Sequence, residues 1–171
     1  MNQRAPGTGY ITSADLRIHF RRFPAQNSAI GALPVLIVHG LSYFSYDWIG
    51  IASELSRQRE VVGMVRCGFG DSVSSPSGDY GLRALSGDIV AVLDFFEWTQ
   101  AALVGHSMGG RVCLCTAAWH RQRVGALICV DFAPDVEAEG RRKVAQRIGN
   151  QPDRFASVEE ALAYHGHRGE L

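Results

Sequence analysis

The 171-residue sequence contains no long hydrophobic run. Its longest apolar stretches, residues 33–38 and 126–130, fall far short of the roughly 20 residues that a membrane-spanning helix needs. It also lacks an excess of either charge. Seventeen Lys and Arg residues stand against seventeen Asp and Glu, which argues against binding nucleic acid by bulk phosphate attraction and against a polybasic membrane anchor. Neither nucleic acid nor membrane is therefore an expected partner. The first residues, M-N-Q-R-A-P-G-T-G, carry no apolar segment of the signal-peptide kind, and a cytoplasmic protein is expected. Cysteine is sparse: Cys67, Cys113, Cys115 and Cys129, with no C-x-x-C pair among them. On a helix, thiols at 113 and 115 point in different directions, which suits neither chelation nor a disulfide. Buried, reduced core thiols are the expectation, and no metal or cofactor is implied.

What the sequence does hold is apolar residues, 46%, and nineteen glycines. The first can fill the core of one domain. The second points to tight turns or close backbone approaches. Residues 16–23 alternate apolar and polar side chains, the pattern of a half-buried antiparallel edge strand that 10–12 can pair with across a turn near 13–15. V-L-I-V at 35–38 is a continuous run of the kind buried on both sheet faces, and His39-Gly40 ends it. Trp48, Ile51, Ala52 and Leu55 follow at helical spacing within 47–59. Residues 61–65 read as a strand running into C-G-F-G-D-S. Leu82, Leu85, Ile89, Val92, Leu93 and Phe96 then repeat at three and four residues, one apolar stripe on a helix. A strand at 101–104 leads through G-H-S-M-G-G into an Ala-rich helix near 109–120, and 126–130 is the last clear strand.

A hairpin followed by repeated strand–helix units predicts an α/β fold of three layers. Its sheet is mostly parallel with an antiparallel N-terminal hairpin, and helices lie on both faces. No strand-like run follows Pro134. Residues 137–149 are basic and helical, and 157–164 read as a short helix with Ser157 as N-cap and Glu160 at N3. The expected organisation is a core over 1–134 holding strands one to six, with 135–171 as the start of a helical cap.

Gly105-His106-Ser107-Met108-Gly109 matches G-x-S-x-G between an apolar strand and a helix, the context that motif requires. The serine must sit on a sharp, strained turn for its hydroxyl to project above the sheet. Small residues two positions to either side let strand and helix pass closely, and the helix start points its positive end at the nucleophile. Acyl transfer also needs two backbone N–H donors for the oxyanion. Met108 follows the nucleophile, and Leu41 follows V-L-I-V-H-G, so both are candidate donors. His39, Gly40 and His106 are candidate binding residues around them.

These segments, in order, resemble the α/β-hydrolase fold superfamily, in particular its esterase and C–C hydrolase-like group, over its N-terminal portion. The resemblance is carried by V-L-I-V-H-G-L (35–41), Trp48, V-V-G-M-V-R-C-G-F-G-D-S (61–72), D-Y-G-L-R-A-L-S-G-D-I (79–89), L-V-G-H-S-M-G-G-R-V (103–112) and V-D-F-A-P (130–134). It implies Ser107 as nucleophile, with Leu41 and Met108 as oxyanion donors. Val65 and Cys67 depart from it, standing where the family usually has an Asp and an Arg whose polar contacts pin the loop.

A serine nucleophile needs a histidine base and a carboxylate to orient it. The resemblance implies an acid after the seventh strand and a histidine after the eighth. Only 40 residues follow Asp131, whereas two more strand–helix units need about 60 at ~30 each, so a C-terminally truncated fold without its base is expected. Within the chain, Asp131 is a candidate acid, since some members carry the acid after the sixth strand; its other role is to order the D-x-A-P turn. His165 and His167 follow Asp131 and read as tail histidines. His19 and His120 read as edge or surface residues. The functions to weigh are a serine hydrolase acting on a small-molecule ester, thioester or C–C bond, a non-catalytic remnant or binding module, and a cofactor-free haloperoxidase or lyase relative. A truncated sheet further implies self-association through its unfinished edge.

Overall fold

The structure, a computed structural model, describes residues 6–27, 30–41, 43–135, 137–150, 152 and 154–164. Six strands form one sheet: β1 (Gly7–Ser13), β2 (Leu16–Phe23), β3 (Val35–Val38), β4 (Val61–Met64), β5 (Ala101–His106) and β6 (Val124–Val130). Their order is β1-β2-β4-β3-β5-β6. β1 pairs antiparallel with β2 and β2 antiparallel with β4, while β4, β3, β5 and β6 run parallel. The fold is therefore α/β with a mixed sheet and an antiparallel hairpin at its start, as the alternation of patterns predicts. β2 is not an edge strand, however; β1 takes the edge, and β2 fills the place between hairpin and parallel strands.

Helices α1 (Ile49–Leu55), α2 (Leu82–Phe95) and α3 (Met108–Trp119) cover the sheet. On one face Leu85, Ile89, Val92 and Leu93 of α2 and Val112 and Cys113 of α3 pack on Ile18, Leu36, Val38, Met64 and Leu103. On the other, Trp48 and Ala52 meet Val35, Ile37, Val61 and Val104. The segment before β4 is shorter in α-helix than its spacing predicts. A 3-10 turn over Ser45–Trp48 precedes the seven-residue α1, and Ile51 faces solvent. Polar side chains join β1 to α2 and α2 to α3: Ser13 Oγ donates to Asp88 Oδ1 (2.6 Å), and Thr116 Oγ1 to Ser86 Oγ (2.9 Å).

Burial corrects two further expectations. Cys67 and Cys113 are buried, but Cys115, on α3, is half-buried, and Cys129 is exposed because β6 lies at the sheet edge. His19 is buried rather than at the surface. The chain separates into two compact units, Met1–Ala133 and Pro134–Leu171. The second holds α4 (Ala138–Gly149) and α5 (Val158–Tyr164). Ser157 Oγ accepts the Glu160 N–H (3.2 Å), and the Glu160 carboxylate reaches back to the Ala156 N–H (2.6 Å), one residue before the position a capping box uses. Among the described residues no helix is long and apolar enough to cross a membrane.

Candidate active site

β5 turns into α3 at Ser107, whose φ of 50° and ψ of −117° are costly for any residue with a side chain. Close packing holds the turn there. A Cβ on Gly105 would come 2.6 Å from Gly110 Cα, and one on Gly109 would overlap the carbonyl oxygens of Val38 and His39. The motif's glycines are thus required by contact between backbones, the reason their spacing suggests. Ser107 N–H donates to Val130 O (3.0 Å), tying the turn to β6. The serine caps a twelve-residue helix, so unpaired N–H groups and the positive end of the helix lie at its hydroxyl.

The loop leaving β3 passes directly beside this turn. A Cβ on Gly40 would lie 2.7 Å from His106 Nδ1 and 3.1 Å from Ser107 Cβ. Leu41, next in the chain, is at the surface. His39 is almost wholly buried, and both ring nitrogens are engaged. The Arg66 N–H donates to Nε2 (2.9 Å), so the proton sits on Nδ1, which donates to Gly40 O (2.7 Å). Burial lowers its pKa to about 4. His39 is therefore a neutral bracket for the loop and has no nitrogen free to take a proton.

His106, beside Ser107, packs its ring among aromatic side chains. Its ring meets Tyr43 edge-on (4.8 Å between centroids) and lies 5.9 Å from Trp48. Its Nε2 is 3.9 Å from Asp131 Oδ2, too long for a hydrogen bond, and the Asp131 side chain is 89% exposed. Asp131, at φ 46°, closes the turn after β6. Among the described residues no histidine hydrogen-bonds Ser107. His165 and His167 lie outside the described residues. Nor do the described residues gather three His, Cys, Asp or Glu side chains able to hold a metal ion.

The loop after β4 is held despite Val65 and Cys67. Ser72 Oγ donates to Val65 O (2.6 Å) and accepts the His19 N–H (2.8 Å), while Gly68 N–H and Cys67 Sγ both donate to Val73 O (3.2 and 3.3 Å). Backbone bonds and one buried serine take over the pinning. Sequence reasoning missed Arg66. It is 3% exposed, donates through Nη2 to Gly40 O (3.2 Å), and lies 4.6 Å from the Phe69 ring centroid. Its signal was an arginine between two apolar residues at the end of a buried strand.

A family model described as the alpha/beta hydrolase fold matches residues 34–161. The chain belongs to the alpha/beta hydrolase fold family. Within it, the chain is 30% identical over 120 residues to Esterase YbfF of Escherichia coli (strain K12), a match covering 70% of this chain and 46% of that protein. It is 28% identical over 140 residues to the N-formylmaleamate deformylase of Pseudomonas putida, covering 82% of this chain and 50% of the other. Among solved structures, an alpha/beta hydrolase from Novosphingobium aromaticivorans superposes with a TM-score of 0.74 at 28% identity, over 85% of this chain and 50% of that one. The chain thus spans about half the length of these family members.

Proposed function

We propose that this chain carries the nucleophile half of a serine hydrolase that cleaves a small-molecule ester, thioester or C–C bond next to a carbonyl. Ser107 Oγ attacks the carbonyl carbon, and the N–H groups of Leu41 and Met108 receive the oxyanion. Oγ gives its proton to a base, and the leaving group departs with a proton. The observation that carries this reading is the strained Ser107 turn at the start of α3, with Gly40 so close beside it that a Cβ at Gly40 would lie 3.1 Å from Ser107 Cβ. Relatives named as an esterase and a deformylase support hydrolysis. His39, Gly40 and His106 border the substrate, and Asp131 is the candidate acid on this chain. The base lies outside 1–134 in this reading, and 135–171 begins a helical lid. Four free cysteines are in keeping with a reducing, cytoplasmic setting.

The test is labelling by a fluorophosphonate, with Ser107→Ala as control. Labelling of the wild type alone is expected if Ser107 is activated. An unlabelled wild type overturns activity for this form. It favours the binding-module reading.

A further inference from the structure

The Gly40 carbonyl accepts two hydrogen bonds, one from His39 Nδ1 (2.7 Å) and one from Arg66 Nη2 (3.2 Å). The same Arg66 fixes the His39 ring by giving its own N–H to Nε2 (2.9 Å). Backbone and side chain of one residue thus close a small network around a single peptide. Among the described residues no peptide bond is cis, and in a trans peptide the N–H points opposite to the C=O. With its carbonyl drawn inward to His39 and Arg66, the Gly40–Leu41 peptide must turn the Leu41 N–H outward, to the side away from that network.

Arg66 is costly where it stands. It is buried, Nε has no hydrogen-bond partner, and among the described residues no carboxylate pairs with it. The nearby Cys113 thiol cannot serve as counter-charge, because burial pushes its pKa far above the usual thiol range and keeps it neutral. Burial also lowers the guanidinium pKa, to about 10, which still leaves it charged at neutral pH. Hydrophobic residues of similar volume commonly replace an ion in such a place with no loss of stability, so fold stability is a poor reason for this arginine. A charge-assisted bond to a carbonyl does have a consequence along the peptide: it polarises the amide and makes its N–H a stronger donor.

We propose that Arg66 is a positioning residue that, with His39, orients and polarises the Gly40–Leu41 peptide so that the Leu41 N–H is held ready for the oxyanion formed at Ser107. The inference rests on the proposed serine-hydrolase reading, and it concerns a residue that makes no contact with substrate. Removing one oxyanion donor from a hydrolase typically slows it about 100- to 1,000-fold. Loosening a donor that remains in place should cost less, about 10- to 100-fold.

The test uses the whole chain as Arg66→Met, Arg66→Lys and wild type. Modification of Ser107 by a p-nitrophenyl phosphonate is followed by intact mass and resolved into a limiting rate and a half-saturating concentration. The 15N–1H resonance of the Leu41 amide is recorded in parallel, with thermal melting as the check on folding. Arg66→Met is expected to melt near the wild type, to lose about 10- to 100-fold in limiting rate at an unchanged half-saturating concentration, and to move the Leu41 amide upfield. Arg66→Lys, which restores a cationic donor, is expected to recover most of both. A folded Arg66→Met with wild-type limiting rate overturns the proposal. If the wild type itself is not modified, the serine-hydrolase reading fails separately, and the Leu41 resonance decides for Arg66: an unchanged resonance in Arg66→Met overturns its role. Should Arg66→Met not fold, Arg66→Lys is compared with Arg66→Gln, and equal rates and equal Leu41 shifts in all three proteins overturn it.

Discussion

β3 and β6 are built from nearly the same material and meet different fates. V-L-I-V of β3 is buried at all four positions. In β6, V-G-A-L-I-C-V, five of seven residues are exposed, including Ile128 and Val130. β3 lies between β4 and β5 with helices over both faces, whereas β6 has a strand on one side only. The composition of a strand sets its capacity for burial, and its neighbours decide whether that capacity is used. The contrast extends to the strand ends. β3 runs into His39, enclosed and doubly bonded; β6 runs into Asp131, open to solvent and 3.9 Å from His106 Nε2.

The contrast can be tested, first where packing is tightest. Gly109→Ala would drive a methyl group into the carbonyl oxygens of Val38 and His39 at the end of β3. It is expected to destabilise the chain by about 4 kcal/mol or more, read by chemical denaturation, and soluble folded protein near wild-type stability would refute that reading of the elbow. Leu36→Ala, in the middle of β3 and fully buried, should cost about 2–5 kcal/mol.

Next comes the end of β3. His39 titrates near 6.5 in the unfolded chain and at about 4 in the folded one. Between those values the unfolded state binds more protons. The stability contributed by a neutral His39 is therefore fully present above 6.5 and is lost as the pH falls through about 4. At 1.36 kcal/mol per unit this amounts to roughly 3 kcal/mol. The stability difference between wild type and His39→Gln should shrink by that order from pH 7.5 to 4; a difference independent of pH would show that His39 is not held neutral.

The smallest effect belongs to β6. Ile128→Ala, the counterpart of Leu36→Ala, should change stability by no more than about 0.5 kcal/mol, as exposed positions do. Sedimentation velocity on the same variant examines the proposed self-association through this edge, which Ile128→Ala should weaken. A wild type that sediments as a monodisperse monomer removes that proposal.

Much of this was legible in advance. The apolar stripe at 82–96 returned as α2, with Leu85, Ile89, Val92 and Leu93 buried. G-H-S-M-G stands between β5 and α3 with the backbone strain its spacing implies. Those are local features, where period and backbone sterics act within a few residues of one another. The errors concern relations between distant segments. Alternation in β2 says that one face is wetter than the other, not that the strand lies at an edge. The helical spacing of Trp48, Ile51, Ala52 and Leu55 did not show that the sheet would take Trp48 and Ala52 and leave Ile51 outside. What Arg66 bonds was unreadable because its partner, Gly40, lies 26 residues away.

By itself the sequence determined the family, the order of strands and helices along the chain, and the serine at the bend, because periodicity and turn sterics are written locally. Only the tertiary structure decided which apolar strand is enclosed, that His39 is a neutral bracket, and that a buried guanidinium reaches the peptide beside Ser107. Those depend on segments far apart in the chain being brought within hydrogen-bonding distance, which packing of the sheet and its helices accomplishes and no local pattern records.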